Sequence, residues 1–178
     1  MIKVIKRYRW FLLLLSVNII VGIIYPEIGK ISYQNTKMNF IEVVSVIPPI
    51  FILLGLLDVW VDRSTMVKYL GEGSGIKGFA IALLLGSVAA GPLYAAFPVA
   101  LVMLKKRASL FNVFIFIGAW STTKIPMLTF EIASLGFKFA LLRLACSIVG
   151  ITIIAFILIF SLKETDHKMV YANSDSII

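Results

Sequence analysis

Gly91-Pro92-Leu93-Tyr94-Ala95-Ala96-Phe97-Pro98 interrupts an apolar run with no charged residue between Gly78 and Leu104. A run of that length is long enough to cross a bilayer, because about 20 apolar residues span the hydrocarbon. Yet two prolines and a glycine sit near its middle, where each proline removes a backbone donor and disturbs the turn before it. In hydrocarbon an unsatisfied backbone group costs several kcal/mol, so broken helices persist where protein or a water-lined cavity satisfies them. Gly/Pro-interrupted apolar segments also point to the binding sites of transporters. The stretch therefore predicts a broken membrane helix beside a pathway, with a merely kinked and packed helix as the alternative.

The rest of the chain fits that solvent. It has 178 residues, 60% of them hydrophobic and 15% charged, with a mean hydropathy of +1.00. A soluble domain of this length has too little interior to hide so much apolar surface. The expected class is an all-α, polytopic membrane bundle with broken or re-entrant helices, built as one domain over residues 1–178. The formal charge of +8 does not imply nucleic acid. The basic residues cluster at the ends of apolar runs (Lys3, Lys6, Arg7 and Arg9, then Lys105, Lys106 and Arg107), where they match cytoplasmic flanks and anionic headgroups. Cys146 and His167 are each the sole residue of their type, so neither a metal site nor a cofactor is expected. Paired carboxylates, nucleophile–base arrangements and phosphate loops are missing, so the sequence gives no footing for an enzyme. Residues 71–75 have glycine spacing but lack the Lys-Ser/Thr of a phosphate loop. The apolar N-terminal segment lacks a small-x-small cleavage site and reads as a retained anchor.

Five apolar segments are expected, at about residues 10–25, 40–61, 76–104 (interrupted), 110–135 (interrupted) and 137–162. A polar connection over residues 26–39, a kink or unwinding at Pro48-Pro49 and a mobile polar tail over residues 163–178 complete the outline. If residues 76–104 cross once, the basic residues divide almost evenly between the two sides, as in dual-topology proteins. If they dip in and return as a hairpin, most basic residues share one side with the N-terminus. The positive-inside bias favours the hairpin, a cytoplasmic N-terminus and a multi-pass protein of the cytoplasmic membrane.

Lys124 is the sharpest candidate for chemistry. It follows Ser121, Thr122 and Thr123, precedes Ile125-Pro126, and lies between apolar stretches. An intramembrane lysine faces a cavity or a partner unless it snorkels to the interface. Glu131 falls two turns further on the same face, too far for a direct pair within a straight helix. The first break, with Gly91, Pro92, Tyr94 and Pro98, and the Lys124 region, with Pro126, are the expected walls of one site. Tyr94 and Trp120 border the breaks. Asp58 and Glu42 flank the second segment as secondary candidates, and Arg143 reads as a snorkelling residue.

Three motifs in order resemble those of the predicted permeases of bacteria and archaea, a broad family that includes efflux permeases for trivalent organoarsenicals. They are residues 47–60 (Ile47-Pro48-Pro49 through Asp58-Val59-Trp60), residues 91–98, and Gly118-Ala119-Trp120-Ser121-Thr122-Thr123-Lys124-Ile125-Pro126 with Glu131 behind it. The resemblance covers about residues 42–143 and implies a permease. Longer relatives carry two such units, which implies assembly from two copies or with another half-permease chain. The small residues Gly86, Ala89, Ala90 and Gly91 are the expected contacts with that partner. A single cysteine lacks the paired thiolates a soft metalloid prefers, so an arsenical cargo does not carry over. The reading that results is a half-size secondary transporter for a small polar or anionic solute. Its alternative is a non-transporting membrane subunit or scaffold.

Overall fold

The computed structural model describes residues 2–89 and 91–176, without the side chains of residues 2–6, Ile47, Phe51, Leu53, Leu54, Leu57 and Asp58. Ala90 and the Asp58 side chain, both singled out above, thus lie outside the described residues. All regular structure among the described residues is helical. The chain divides into two compact units, Met1–Pro48 and Pro49–Ile178.

In the first unit, α1 (Ile2–Ile24) and the beginning of α2 (Pro26–Trp60) form an antiparallel pair turned at Tyr25. Near the turn the two backbones touch: a Cβ on Gly29 would lie 2.8 Å from the Gly22 Cα. Further along, Asn18 Nδ2 donates to Ser32 Oγ at 3.0 Å, so a polar side chain in an apolar helix is satisfied by its neighbour. Residues 26–39 are therefore helix and not the expected connection. Pro26 stands at the first helical position and Glu27 in the first turn, both favourable there, and Lys30, Gln34 and Lys37 are good helix formers. Polarity alone had suggested a loop. α2 also continues through Pro48-Pro49, where unwinding was expected, and the division between units falls at that pair. Glu42 is exposed on α2 within the first unit.

The second unit is organised around α6 (Leu110–Thr122), whose Val113, Ile115, Phe116, Ala119 and Trp120 are all buried. α3 (Arg63–Leu70) leads into α4 (Gly75–Val88), which lies parallel to α6. Asn112 Nδ2 meets Ser74 Oγ at 2.9 Å where both helices start, and Ser87 Oγ meets Thr123 Oγ1 at 2.7 Å where both end. After a 3-10 turn at Leu93–Ala95, α5 (Ala96–Lys105) returns to the starting end. There Lys106 Nζ donates to Val61 O at 2.6 Å and Ser109 N donates to Leu70 O at 2.8 Å.

Residues 75–105 thus form a helical hairpin that enters and leaves at one end of the unit. Its arms of 14 and 10 residues are about 21 Å and 15 Å long at 1.5 Å per residue, each short of the ~30 Å hydrocarbon. The helical stretch Leu110–Leu135, interrupted as expected, and α8 (Phe137–Ser161) are long and apolar enough to cross a membrane, as is Arg7–Ile24 in α1. α8 runs antiparallel to α6, with Ile151 seated against Gly118 and Phe156 4.9 Å from Phe111, ring centre to ring centre.

The polar tail is not a loose end. α9 (Glu164–Ser176) has two acidic residues in its first turn, and Asp166 caps the backbone of Lys163 at 3.0 Å. It docks at the base of the hairpin: Tyr171 Oη donates to Ala108 O at 2.9 Å, and Arg107 pairs with Asp175 at 2.6 Å. Composition hid this helix because one aromatic side chain and one ion pair suffice to seat it.

Candidate functional site

Each break has a local cause. α4 stops at Val88, Ala89 turns extended, and Gly91 adopts φ +108°, a left-handed conformation that glycine tolerates best. Pro92 has no N–H to continue a helix, so the chain restarts through the 3-10 turn. Pro98 does not belong to this break. It sits in the first turn of α5, where a missing donor costs little. The other break is only Thr123-Lys124, after which α7 (Ile125–Leu135) begins with Pro126 in its first turn.

The fold brings the two breaks together. Lys124 Nζ donates to Gly91 O, and Trp120 Nε1 lies 3.3 Å from Gly91 O and 3.2 Å from Pro92 O. The carbonyls of the link that follows α4 are thus satisfied by a cation and an indole from the end of α6. A hydrogen bond from a charged donor contributes about 1.5–3 kcal/mol, more than a neutral one. Beside them, Ser87 and Thr123 share the 2.7 Å contact while each also lies within reach of its own i−4 carbonyl, Leu83 O at 2.8 Å and Ala119 O at 3.0 Å. Two hydroxyls carry two hydrogens for these three contacts, so one contact always goes without a proton.

Not every predicted residue joins this cluster. Ser121 and Thr122 line a cavity of about 250 Å³ between α6 and α8. Tyr94 is 41% exposed on the 3-10 turn, and Pro126 is exposed at the start of α7. Glu131 is buried, and its partner is Arg143 on α8, whose Nε donates to Glu131 Oε2. Arg143 Nη1 also donates to Thr122 O at 2.8 Å, so one guanidinium ties the last turn of α6 to α7 across the break. Arg143 is therefore an ion-paired brace and not a snorkelling residue. A Glu and an Arg in apolar runs need counterions, and that requirement was the available signal for the pair. Ser87 and Asn112 carried no such signal, since their roles depend on how α4 meets α6. Gly86, expected to face a partner chain, is spent on that same contact: a Cβ there would lie 2.4 Å from Phe116 O.

A family model described as "predicted permease" matches residues 33–176. The chain belongs to the predicted permease family. The match includes both breaks, the Glu131–Arg143 brace and α9 of this permease, and begins within α2, leaving α1 outside it. No curated protein and no solved structure matches the chain.

Proposed function

We propose that this membrane permease carries a small polar or anionic solute through the junction of its two broken helices, as a secondary transporter. The observation that carries the reading is the Lys124 ammonium held on the Gly91 carbonyl where the breaks meet. An anion is a stronger acceptor than a neutral carbonyl, so an arriving solute would take Lys124 and Trp120 from the tip and free it to move. The first-turn N–H groups of α7, beside Lys124, add donors at the same place. Lys124→Gln keeps much of the side-chain length and removes the charge. It is expected to reduce anion flux in proteoliposomes by at least ~10-fold, about 1.4 kcal/mol, with the fold retained. Normal flux through Lys124→Gln would sink the reading.

A second unit, another copy or another half-permease chain, would complete the pathway. Tyr94 and Ser121 are exposed beside the breaks, and polar groups at membrane depth need protein cover. The competing reading is a non-transporting subunit in which Lys124 and Trp120 only satisfy broken backbone. Its support is that both donors already have partners within the chain. Flux from the purified protein separates the two.

The proposed setting is the cytoplasmic membrane with the hairpin base inside. Contacts within the second unit gather Lys77, Lys105, Lys106, Arg107 and Lys163 at that base, whereas Lys138 starts α8 at the opposite end. With Cys146 replaced by serine, single cysteines at Lys77 and Lys163 are expected to label only from inside, and one at Lys138 only from outside. Labelling of the Lys77 site from outside would reject this orientation of the hairpin.

A further inference from the structure

A cavity of about 630 Å³ in the second unit lies away from the breaks, where α4 and α6 begin. Its wall includes the glycine-rich residues 71–75, a motif the transport reading does not use. α4 is 14 residues long, so the two places are separated by about 20 Å of helix.

The lining has a definite chemistry. Phe79, Phe111 and Phe156 stand in a row, with ring centres 6.5 Å and 4.9 Å apart. Glu72 contributes a carboxylate at the edge, and among the described residues no lysine or arginine lines the cavity. Arg107, which shares a smaller neighbouring cavity with Glu72, is committed to Asp175. Asn112 is 2% exposed, and both amide hydrogens are accounted for by Leu70 O and Ser74 Oγ, each at 2.9 Å. Those two acceptors fix the orientation of the amide, and its Oδ1 is buried with no hydrogen-bond partner. Gly78 makes room for this arrangement, since a Cβ there would meet Ser74 Oγ and Asn112 Nδ2.

The starts of α4 and α6 would by themselves favour an anion, by about 0.3–1 kcal/mol each. That preference is weakened here. The Ser109 hydroxyl already accepts from Asn112 N, and a full carboxylate outweighs two partial charges. Aromatic faces are negative and attract cations by about 0.5–2 kcal/mol, whereas they repel anions. Aromatic rings and one carboxylate select positive charge on an organic group. We propose that this cavity binds an organic ammonium, either the headgroup of a lipid or a free amphiphilic cation.

The test uses the full chain in phosphatidylglycerol nanodiscs with three probes: choline, its uncharged isostere 3,3-dimethylbutanol, and inorganic phosphate. Calorimetry is expected to show choline binding at least ~10-fold tighter than the isostere. Glu72→Gln and Phe156→Leu, both at exposed positions that leave the fold intact, should each weaken it by ~10-fold. Native mass spectrometry with added phosphatidylethanolamine distinguishes the sources. Lipid retained by the wild type and lost in Glu72→Gln supports the proposal with a headgroup as ligand. Choline binding without lipid retention supports it with a free cation. Equal binding of choline and the isostere, insensitivity to Glu72→Gln, binding of phosphate instead, or no binding of either ammonium would overturn it.

Discussion

Replacing Glu131 with alanine is expected to destabilise the folded chain by about 3 kcal/mol, because it leaves the Arg143 guanidinium without its counterion in apolar surroundings. Arg143→Ala should cost a similar amount, and it also removes the bond to Thr122 O that spans the break. The informative variant is the double one. With Glu131→Met and Arg143→Met together, both charges are gone and the volume is roughly kept, so most of the lost stability should return. Closed with the single Glu131→Met and Arg143→Met variants, the cycle is expected to be strongly non-additive, the double variant losing less stability than either single one. Reversible unfolding in mixed detergent micelles measures it. Strictly additive losses would mean that the two side chains do not act as a pair.

The second large effect is expected at Gly86. A Cβ there would lie 2.4 Å from Phe116 O, 2.7 Å from Ala119 Cβ and 2.9 Å from Trp120 N, and two of those three atoms are backbone. Neither helix has a flexible group to move aside. Gly86→Ala should push α4 off α6 and cost about 1–3 kcal/mol, and Gly86→Leu more. The loss should propagate to the tip, because Ser87–Thr123 and Trp120–Gly91 depend on the same approach. Gly150→Ala is the control. It has nothing within 4 Å of its Cβ position and replaces a helical glycine, so it should be neutral or stabilising by up to about 1 kcal/mol. Equal melting temperatures for Gly86→Leu and Gly150→Ala would contradict the packing described.

The breaks were legible because their causes are local. Gly91-Pro92 and Lys124-Ile125-Pro126 act through their own backbones, whatever they pack against. The membrane class was equally legible from apolar runs whose lengths match a bilayer. Pro98 was placed wrongly because a proline in a first helical turn looks the same in sequence as one inside a break. Residues 26–39 and the tail misled for a related reason: polar residues form helices well when a cap or a docking contact holds them. The partners of Lys124 and Asn112 were out of reach, since each bond joins residues of different elements. The family match extends the recognised region from about residues 42–143 to residues 33–176, which takes in α9.

The parallel course of α4 and α6 imposes an order on synthesis. Ser74 meets Asn112 and Ser87 meets Thr123, so the contacts that cover the small face of α4 wait for a helix made nearly 40 residues later. During elongation the nascent α4 has its small face, with Ala82 and Gly86, uncovered, and it is too short to be held as a stable membrane crossing by length alone. The hairpin therefore lacks its full set of contacts until the chain through residue 124 has been made and Lys124 can take the carbonyl of Gly91.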